Sequence, residues 1–292
     1  MMKDEYLNYL EAVRGLSEHT RLAYGRDLDA WEAFLVARGA HLASATPAQA
    51  GDFLRHLGKQ GLSPRSVNRV LSCLRGFYRY LLRTGRTYSH PFSGIRSLKT
   101  PRRLPVFLFE KEVQALLDDD RGGFQGLRDR LLFEVLYSTG CRVSEVCSLD
   151  LASVVGHSKF PVTGKGNKTR SVFLTPSAQK ALADYLPARL KRLDADDPDA
   201  VRALFLNSRG QRLGVRGVQK IVDRAATRAG LTKDATPHTL RHTFATHLSA
   251  EGMDVRVVQE LLGHSRLETT QVYTHLSLDR LKDVVRAAHP HG

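Results

Sequence analysis

From Phe53 to Phe109 the chain carries no aspartate or glutamate, yet it holds twelve basic residues there: Arg55, Lys59, Arg65, Arg69, Arg75, Arg79, Arg83, Arg86, Arg96, Lys99, Arg102 and Arg103. A solvated helix face normally mixes both signs, and a run of one sign repels itself unless an anion lies across it. Inside this stretch Ser63-Pro64 opens a helix predicted to run to about Thr84-Gly85. At 100° per residue, Val67, Val70, Leu74, Phe77 and Leu81 fall on one side. Arg65, Arg69, Arg75, Arg79 and Arg83 occupy about a third of the wheel opposite. One face suits a core and the other suits phosphates. A plain amphipathic helix is the alternative, but such helices usually carry glutamate too.

The same excess runs through the whole chain of 292 residues, with 44 Lys plus Arg against 30 Asp plus Glu and a formal net charge of +14. Residues 1–100 carry 15 basic and 8 acidic side chains and residues 101–292 carry 29 and 22, so each part stands at +7. Charge alone leaves open a nucleic-acid partner or a merely basic surface. Its presence in both parts suggests that both touch a polyanion. With 42% hydrophobic and 25% charged residues the composition is that of a globular protein, not a disordered one. No apolar run approaches the ~20 residues that span a bilayer, and the N-terminus lacks a signal-peptide layout. A cytoplasmic location is therefore expected. Cys73, Cys141 and Cys147 are too few for a disulfide framework and form no CxxC pair, so reduced, partly buried thiols are expected.

Before the arginine helix, Ser17 caps a helix whose pattern is Leu22, Tyr24, Leu28, Trp31, Phe34 and Leu35 and which Gly39 ends, and Thr46-Pro47 opens another with Phe53, Leu54 and Leu57 inward. Between Ser89 and Pro105, proline, glycine and basic residues without periodicity read as an interdomain linker. The organisation expected is residues 1–88 as a helical domain, 89–107 as a basic linker and 108–292 as a second, larger domain. In the last, helices are predicted over Glu110–Leu117, Gly126–Thr139, Pro176–Arg192, Gly214–Ala229, Pro237–Glu251, Val255–Leu262, Glu268–Tyr273 and Ser277–Ala288. Two short strands between Phe160 and Leu174 flank a Gly164-Lys165-Gly166-Asn167 turn.

Four segments hold polar groups suited to a phosphodiester. In Ser138–Glu145, Arg142 follows a glycine turn and Glu145 lies three residues on, which alone reads as a surface ion pair. In Gly164–Arg170 two glycines let a hairpin tip approach a ligand with Lys165 projecting; the spacing is not that of a nucleotide P-loop. In Pro237–Ala245, His238 and Arg241 share a helical face near the N-terminus, where an anion is favoured, although a capped helix with a satisfied histidine fits as well. The fourth is Leu261-Leu262-Gly263-His264-Ser265, with Tyr273 nine residues after the histidine; a lone tyrosine is usually packing.

Together the segments R-x-x-E, G-K-G, H-x-L-R-H, L-G-H and Q-x-Y-T-H, in this order, resemble the tyrosine recombinases of the phage integrase family. The resemblance extends over nearly the whole chain, and the N-terminal helices, the Lys-Thr-Pro-Arg-Arg-Leu-Pro linker and the ending His289-Pro290 resemble the Xer subgroup. It implies a mainly α (α+β) fold: a helical core-binding domain and a mixed, mostly helical catalytic domain with a small β-sheet, closing on DNA as a C-shaped clamp. It implies Tyr273 as nucleophile, Arg142 and Arg241 as clamps on the phosphate oxygens, His264 as a donor to them, His238 as the base and Lys165 as the acid for the leaving oxygen. Glu145 would position Arg142. Arg65, Arg69, Arg75, Arg79, Arg83, Arg102 and Arg103 would meet the DNA backbone. Arginines and a lysine would stand where many phosphoryl-transfer enzymes use a metal, so no cofactor or metal is expected and activity should survive EDTA. Only Gly156-His157-Ser158-Lys159 departs from the plainer strand of relatives.

Double-stranded DNA is the partner implied, bound by a homo- or hetero-tetramer whose protomers dock through helix 277–288, with a related recombinase and a translocase activator as further partners. Three other readings stay open: a type IB topoisomerase, which the Xer-like N-terminal helices and tail oppose; an architectural DNA-binding protein without catalysis, which the filled catalytic pattern opposes; and a mobile-element integrase, which the lack of an additional arm-binding domain makes the weaker choice.

Overall fold

The computed structural model describes residues 2–14, 18–100, 106–119, 121–164 and 169–263. Contacts divide the chain into two compact units, Met1–Arg103 and Leu104–Gly292. The expected mainly helical fold with a small sheet is what the structure shows.

The first unit contains α1 (Met2–Arg14), α2 (Glu18–Val36), α3 (Pro47–Lys59) and α4 (Pro64–Arg83). Local chemistry sets their starts. Thr46 caps α3 in a reciprocal box, its hydroxyl accepting from the Gln49 amide while the Gln49 side chain accepts from the Thr46 amide. Ser63 caps α4, and Pro64 occupies the first turn, where its missing N–H has no partner to lose. The apolar face of α4, including Val67, Val70, Leu74, Phe77 and Leu81, is buried as expected. It packs with Trp31, Phe34 and Phe53 into an aromatic core. Tyr78 satisfies both ends of its hydroxyl there, accepting from Trp31 Nε1 at 3.0 Å and donating to the Leu42 carbonyl at 2.7 Å. Leu22, placed by periodicity among the inward residues, is instead 46% exposed.

The segment after α4 has no periodicity, yet it packs firmly within this unit. Phe92 is fully buried against Trp31 and Tyr78. Asn68 pairs in both directions with the backbone of Leu98, and Arg75 donates to the carbonyls of Phe92 and Ile95.

The second unit follows the order α5 (Glu110–Leu117), α6 (Gly123–Thr139), α7 (Val143–Cys147), α8 (Leu151–Val154), β1 (Lys159–Thr163), β2 (Thr169–Phe173), α9 (Pro176–Arg192), α10 (Pro198–Arg202), α11 (Val215–Arg228), α12 (Pro237–Ala250) and α13 (Val255–Leu262). Helix α6 is buried almost all round, because α5, α9 and α12 each cover a part of it. The strands form an antiparallel hairpin in which Val162 faces Arg170 and Thr163 faces Thr169. Gly156 takes a φ of +80°, so the segment before β1 is a turn and Lys159 already belongs to the ladder. Helix α13 lies against both β2 and α12. Among the described residues no helix is long and apolar enough to cross a membrane.

Candidate active site

Three elements of the second unit deliver four charged groups to one point. Arg142 is the cap residue of α7, its backbone extended at φ −69° and ψ 148°, which turns its side chain out of the helix. Glu145 lies one turn on and is buried. Arg241 enters from the second turn of α12 and is 6% exposed. Arg170 enters from β2, with its side chain 8% exposed.

The Glu145 carboxylate is fully engaged. Oε1 accepts from Arg142 Nη1 at 2.8 Å and from Arg170 Nη1 at 3.1 Å; Oε2 accepts from the Arg142 amide at 2.8 Å and from Arg170 Nη2 at 2.7 Å. Four donors match the four acceptor positions of an ionised carboxylate. Burial pushes this carboxyl towards its neutral form, but the bonds from Arg170 and Arg142 outweigh that and hold it below the usual range. The surface ion pair suggested by R-x-x-E alone is thus a buried, saturated network.

The guanidinium groups also converge on the end of α13. Arg170 Nε donates to the Leu261 carbonyl at 2.8 Å, Arg241 Nη2 donates to the Leu262 carbonyl, and Arg142 Nη2 donates to the Gly263 carbonyl at 3.2 Å. Three consecutive carbonyls that a helix end leaves without partners are thereby satisfied, where the helix dipole favours cations. Arg241 Nη1 reaches the Gly140 carbonyl at 2.5 Å. Burial, then the repulsion of Arg142 and Arg170, brings the Arg241 pKa down to about 10, which leaves it cationic at neutral pH. Three cations and one anion put the group at +2.

Glycines allow this crowding. Gly140 ends α6 in the left-handed region at φ +55°, and a Cβ there would lie 2.5 Å from the Phe244 ring. A Cβ on Gly164 would lie 2.7 Å from Glu145 Oε1 and 3.1 Å from Arg142 Nη1.

Of the other expected site residues, His238 sits in the first turn of α12, exposed, one turn before Arg241 and just after the capping Thr236, whose hydroxyl accepts from the Thr239 amide at 3.0 Å. Lys165, His264 and Tyr273 lie outside the described residues, as do Arg102, Arg103 and helix 277–288. The residues preceding two of them, Gly164 and Gly263, both lie against the arginine group. Arg170 was assigned no role from sequence. The available signal was strand alternation, which puts it on the same side as the buried Val172, where an arginine needs a partner.

The arginine face of α4 is a different kind of site. Arg65, Arg69, Arg79 and Arg83 are exposed. Arg69 pairs with the buried Asp27, Arg83 lies over the Tyr9 ring at 4.6 Å, Arg79 bonds the carbonyl of Arg75 in its own helix, and Arg75 is committed to the segment after α4.

The N-terminal SAM-like domain of phage integrases matches residues 4–85, and the phage integrase family model matches residues 106–280. A tyrosine recombinase XerC from Pelobacter propionicus is 42% identical over 286 residues, covering 97% of this chain and 93% of its own. A tyrosine recombinase XerD from Lacticaseibacillus casei is 40% identical over 290 residues, covering 99% and 98%. In fold, the chain is similar to the XerH site-specific recombinase in a post-cleavage complex with a palindromic difH substrate, with a TM-score of 0.69 at 23% identity over 97% of this chain and 84% of that one. With both units matched and relatives this similar along nearly their whole length, the chain belongs to the phage integrase family, among its Xer-type tyrosine recombinases.

Proposed function

We propose that this recombinase cuts and rejoins double-stranded DNA at a specific site, with the scissile phosphate seated on Arg142 and Arg241 and attacked by Tyr273. The observation that carries the reading is the guanidinium group described above: largely buried, net positive, and preorganised by Glu145 and three helix-end carbonyls. Charge builds on the non-bridging oxygens as phosphorus becomes five-coordinate, and fixed donors stabilise that charge without reorganising. Planar guanidinium forks suit two oxygens in a way an ammonium does not.

The Tyr273 oxygen forms the new bond to phosphorus and the 5′-oxygen leaves, giving a 3′-phosphotyrosyl link and a free 5′-hydroxyl. The link conserves the energy of the broken phosphodiester, so rejoining needs no nucleotide. A phenol with a pKa near 10 is protonated at neutral pH, and His238 takes its proton as the bond forms. Lys165 gives a proton to the departing oxygen, and His264 donates to the non-bridging oxygens. Repeated on partner strands, the exchange passes through a Holliday junction. With Arg75 occupied internally, phosphate contacts on the first unit fall first to Arg65, Arg69, Arg79 and Arg83, and then to Arg102 and Arg103 at the end of that unit's sequence. The biological task is the resolution of chromosome or plasmid dimers in the cytoplasm. It is carried out by a tetramer that docks through residues 277–288, with a related recombinase and a translocase as further partners.

The test is a duplex nicked beside a candidate recombination site, incubated with the protein in EDTA and run on denaturing gels. A covalent protein–DNA adduct that disappears in Tyr273→Phe is the expected result. An adduct that persists in Tyr273→Phe would overturn the site assignment.

A further inference from the structure

Arg170 is a buried cation with no part in the chemistry assigned above. It does more than close an ion pair. Its two terminal nitrogens reach both oxygens of Glu145, at 3.1 and 2.7 Å, and its Nε reaches the Leu261 carbonyl at 2.8 Å. One rigid fork therefore joins α7, β2 and the end of α13. Glu145 in turn holds Arg142 twice, once by its amide and once by its guanidinium. With all four acceptor positions filled, the carboxylate cannot rotate without losing a bond, and so Arg142 can approach it from one side only. Arg170 also places its charge beside Arg241, whose pKa it helps to lower.

We propose that Arg170 is a positioning residue for the strand-cleavage site, aiming Arg142 through Glu145 and fixing the end of α13 in the same step; this rests on the site reading proposed above. Arg170 touches no reacting atom. A buried ion pair as such is weak evidence for stability, since apolar replacements often serve as well. What an apolar or single-point replacement cannot supply is the three-way geometry. A lysine at this position keeps the charge but has one nitrogen to serve two carboxylate oxygens and a carbonyl.

The pH behaviour of the site follows from the same contacts. Among the described residues, Glu145 faces Arg142 on its own turn, Arg170 from β2, Arg241 from α12 and the Cys141 thiol, which burial pushes up to about 11. Without Arg170, burial still favours the protonated carboxyl while its largest opposing contact is gone. Protonation of Glu145 then begins at a higher pH and releases Arg142.

The experiment is single-turnover adduct formation by the full-length protein on the nicked duplex at saturating protein, with DNA retardation measured beside it. Wild type, Arg170→Lys, Arg170→Gln, Glu145→Gln and the double variant Arg170→Lys/Glu145→Gln are compared across pH. Adduct formation in Arg170→Lys slows by roughly 10–100-fold, the scale of a misplaced catalytic group, while retardation stays at the wild-type midpoint. The double variant is no slower than the slower single one. Arg170→Gln shows an acid-side loss of rate that begins at higher pH than in the wild type, and Glu145→Gln shows no such added loss. Wild-type rates in Arg170→Lys, or losses that multiply independently in the double variant, would overturn the proposal. So would loss of retardation in step with cleavage, which would make Arg170 a general scaffold residue. A wild-type protein that forms no adduct overturns the site reading and this proposal together.

Discussion

The protein presents arginines in two ways. On α4, Arg65, Arg69, Arg79 and Arg83 are exposed, and each has at most one fixed partner among the bonds described above. At the end of α13, Arg142 and Arg170 share one carboxylate, and together with Arg241 they hold three consecutive carbonyls, with two of the three arginines nearly buried. The first arrangement keeps its side chains exposed to solvent, which suits counterion release along a duplex and places few demands on geometry. The second is already held by fixed bonds and partly withdrawn from solvent, which suits stabilising a charge that exists only in a transition state. Net charge describes both equally, and only burial and bond saturation separate them.

The sharpest way to break this contrast is Arg241→Lys. It keeps the charge but loses the fork between the Gly140 and Leu262 carbonyls. Adduct formation at saturating protein should fall by roughly 10²–10³-fold while DNA retardation persists. A loss of retardation with a normal rate would place Arg241 with the α4 type instead.

The next effect is on stability. Gly140→Ala puts a methyl group 2.5 Å from the Phe244 ring at a left-handed φ, so thermal or denaturant unfolding should show a loss of about 1–3 kcal/mol. Arg79→Ala on the exposed face should change stability by less than about 0.5 kcal/mol in the same assay. Equal losses would erase the distinction between a crowded site and a solvated one.

The α4 face is tested through salt. If Arg65 and Arg79 each neutralise one phosphate, the double alanine variant should flatten the slope of log affinity against log salt by about 2. The accompanying loss of cleavage should be overcome by raising the protein concentration. An unchanged slope would remove these two residues from the DNA contact.

A smaller pH effect concerns the support of the site. His247 on α12 holds Tyr137 of α6 through Nδ1 at 2.6 Å and the Leu108 carbonyl through Nε2 at 3.0 Å, and burial lowers its pKa below the ordinary 6.5. Because the unfolded chain takes up this proton first, the stability it contributes is present above pH 6.5 and is lost as pH falls through the lowered value. His247→Asn should flatten the fall in melting temperature between neutral pH and pH 5. A wild-type melting temperature that does not fall over that range would contradict it.

Much of this was legible in the sequence, for local reasons. Thr46 and Ser63 announce their helices because a cap needs only a few adjacent residues, and α4 declares both faces because five turns sample its period well. Arg142, Glu145 and Arg241 stand out by their motif spacing, and the structure brings them together. Helix α1 was not assigned, and α7, α8 and α10 are too short for periodicity to reveal. Arg170 and Phe92 escaped for another reason: their meaning lies in partners distant in sequence. Arg170 meets residues 25 and 91 positions away, and Phe92 enters an aromatic core from a stretch that reads as linker. The helical wheel likewise grouped Arg75 with Arg65, Arg69, Arg79 and Arg83, although it is bound to the carbonyls of Phe92 and Ile95.

On the proposed mechanism, the arginine group acts on charge developing at the scissile phosphate. This action is tested most directly by comparing the wild type with Arg142→Ala on two nicked duplexes, one with an ordinary scissile phosphate and one with an uncharged methylphosphonate there. Single-turnover adduct formation is measured on both. If Arg142 neutralises a non-bridging oxygen, its removal should slow cleavage of the phosphate severely and of the methylphosphonate far less. The same fold loss on both substrates would mean that Arg142 does not act on the phosphate charge.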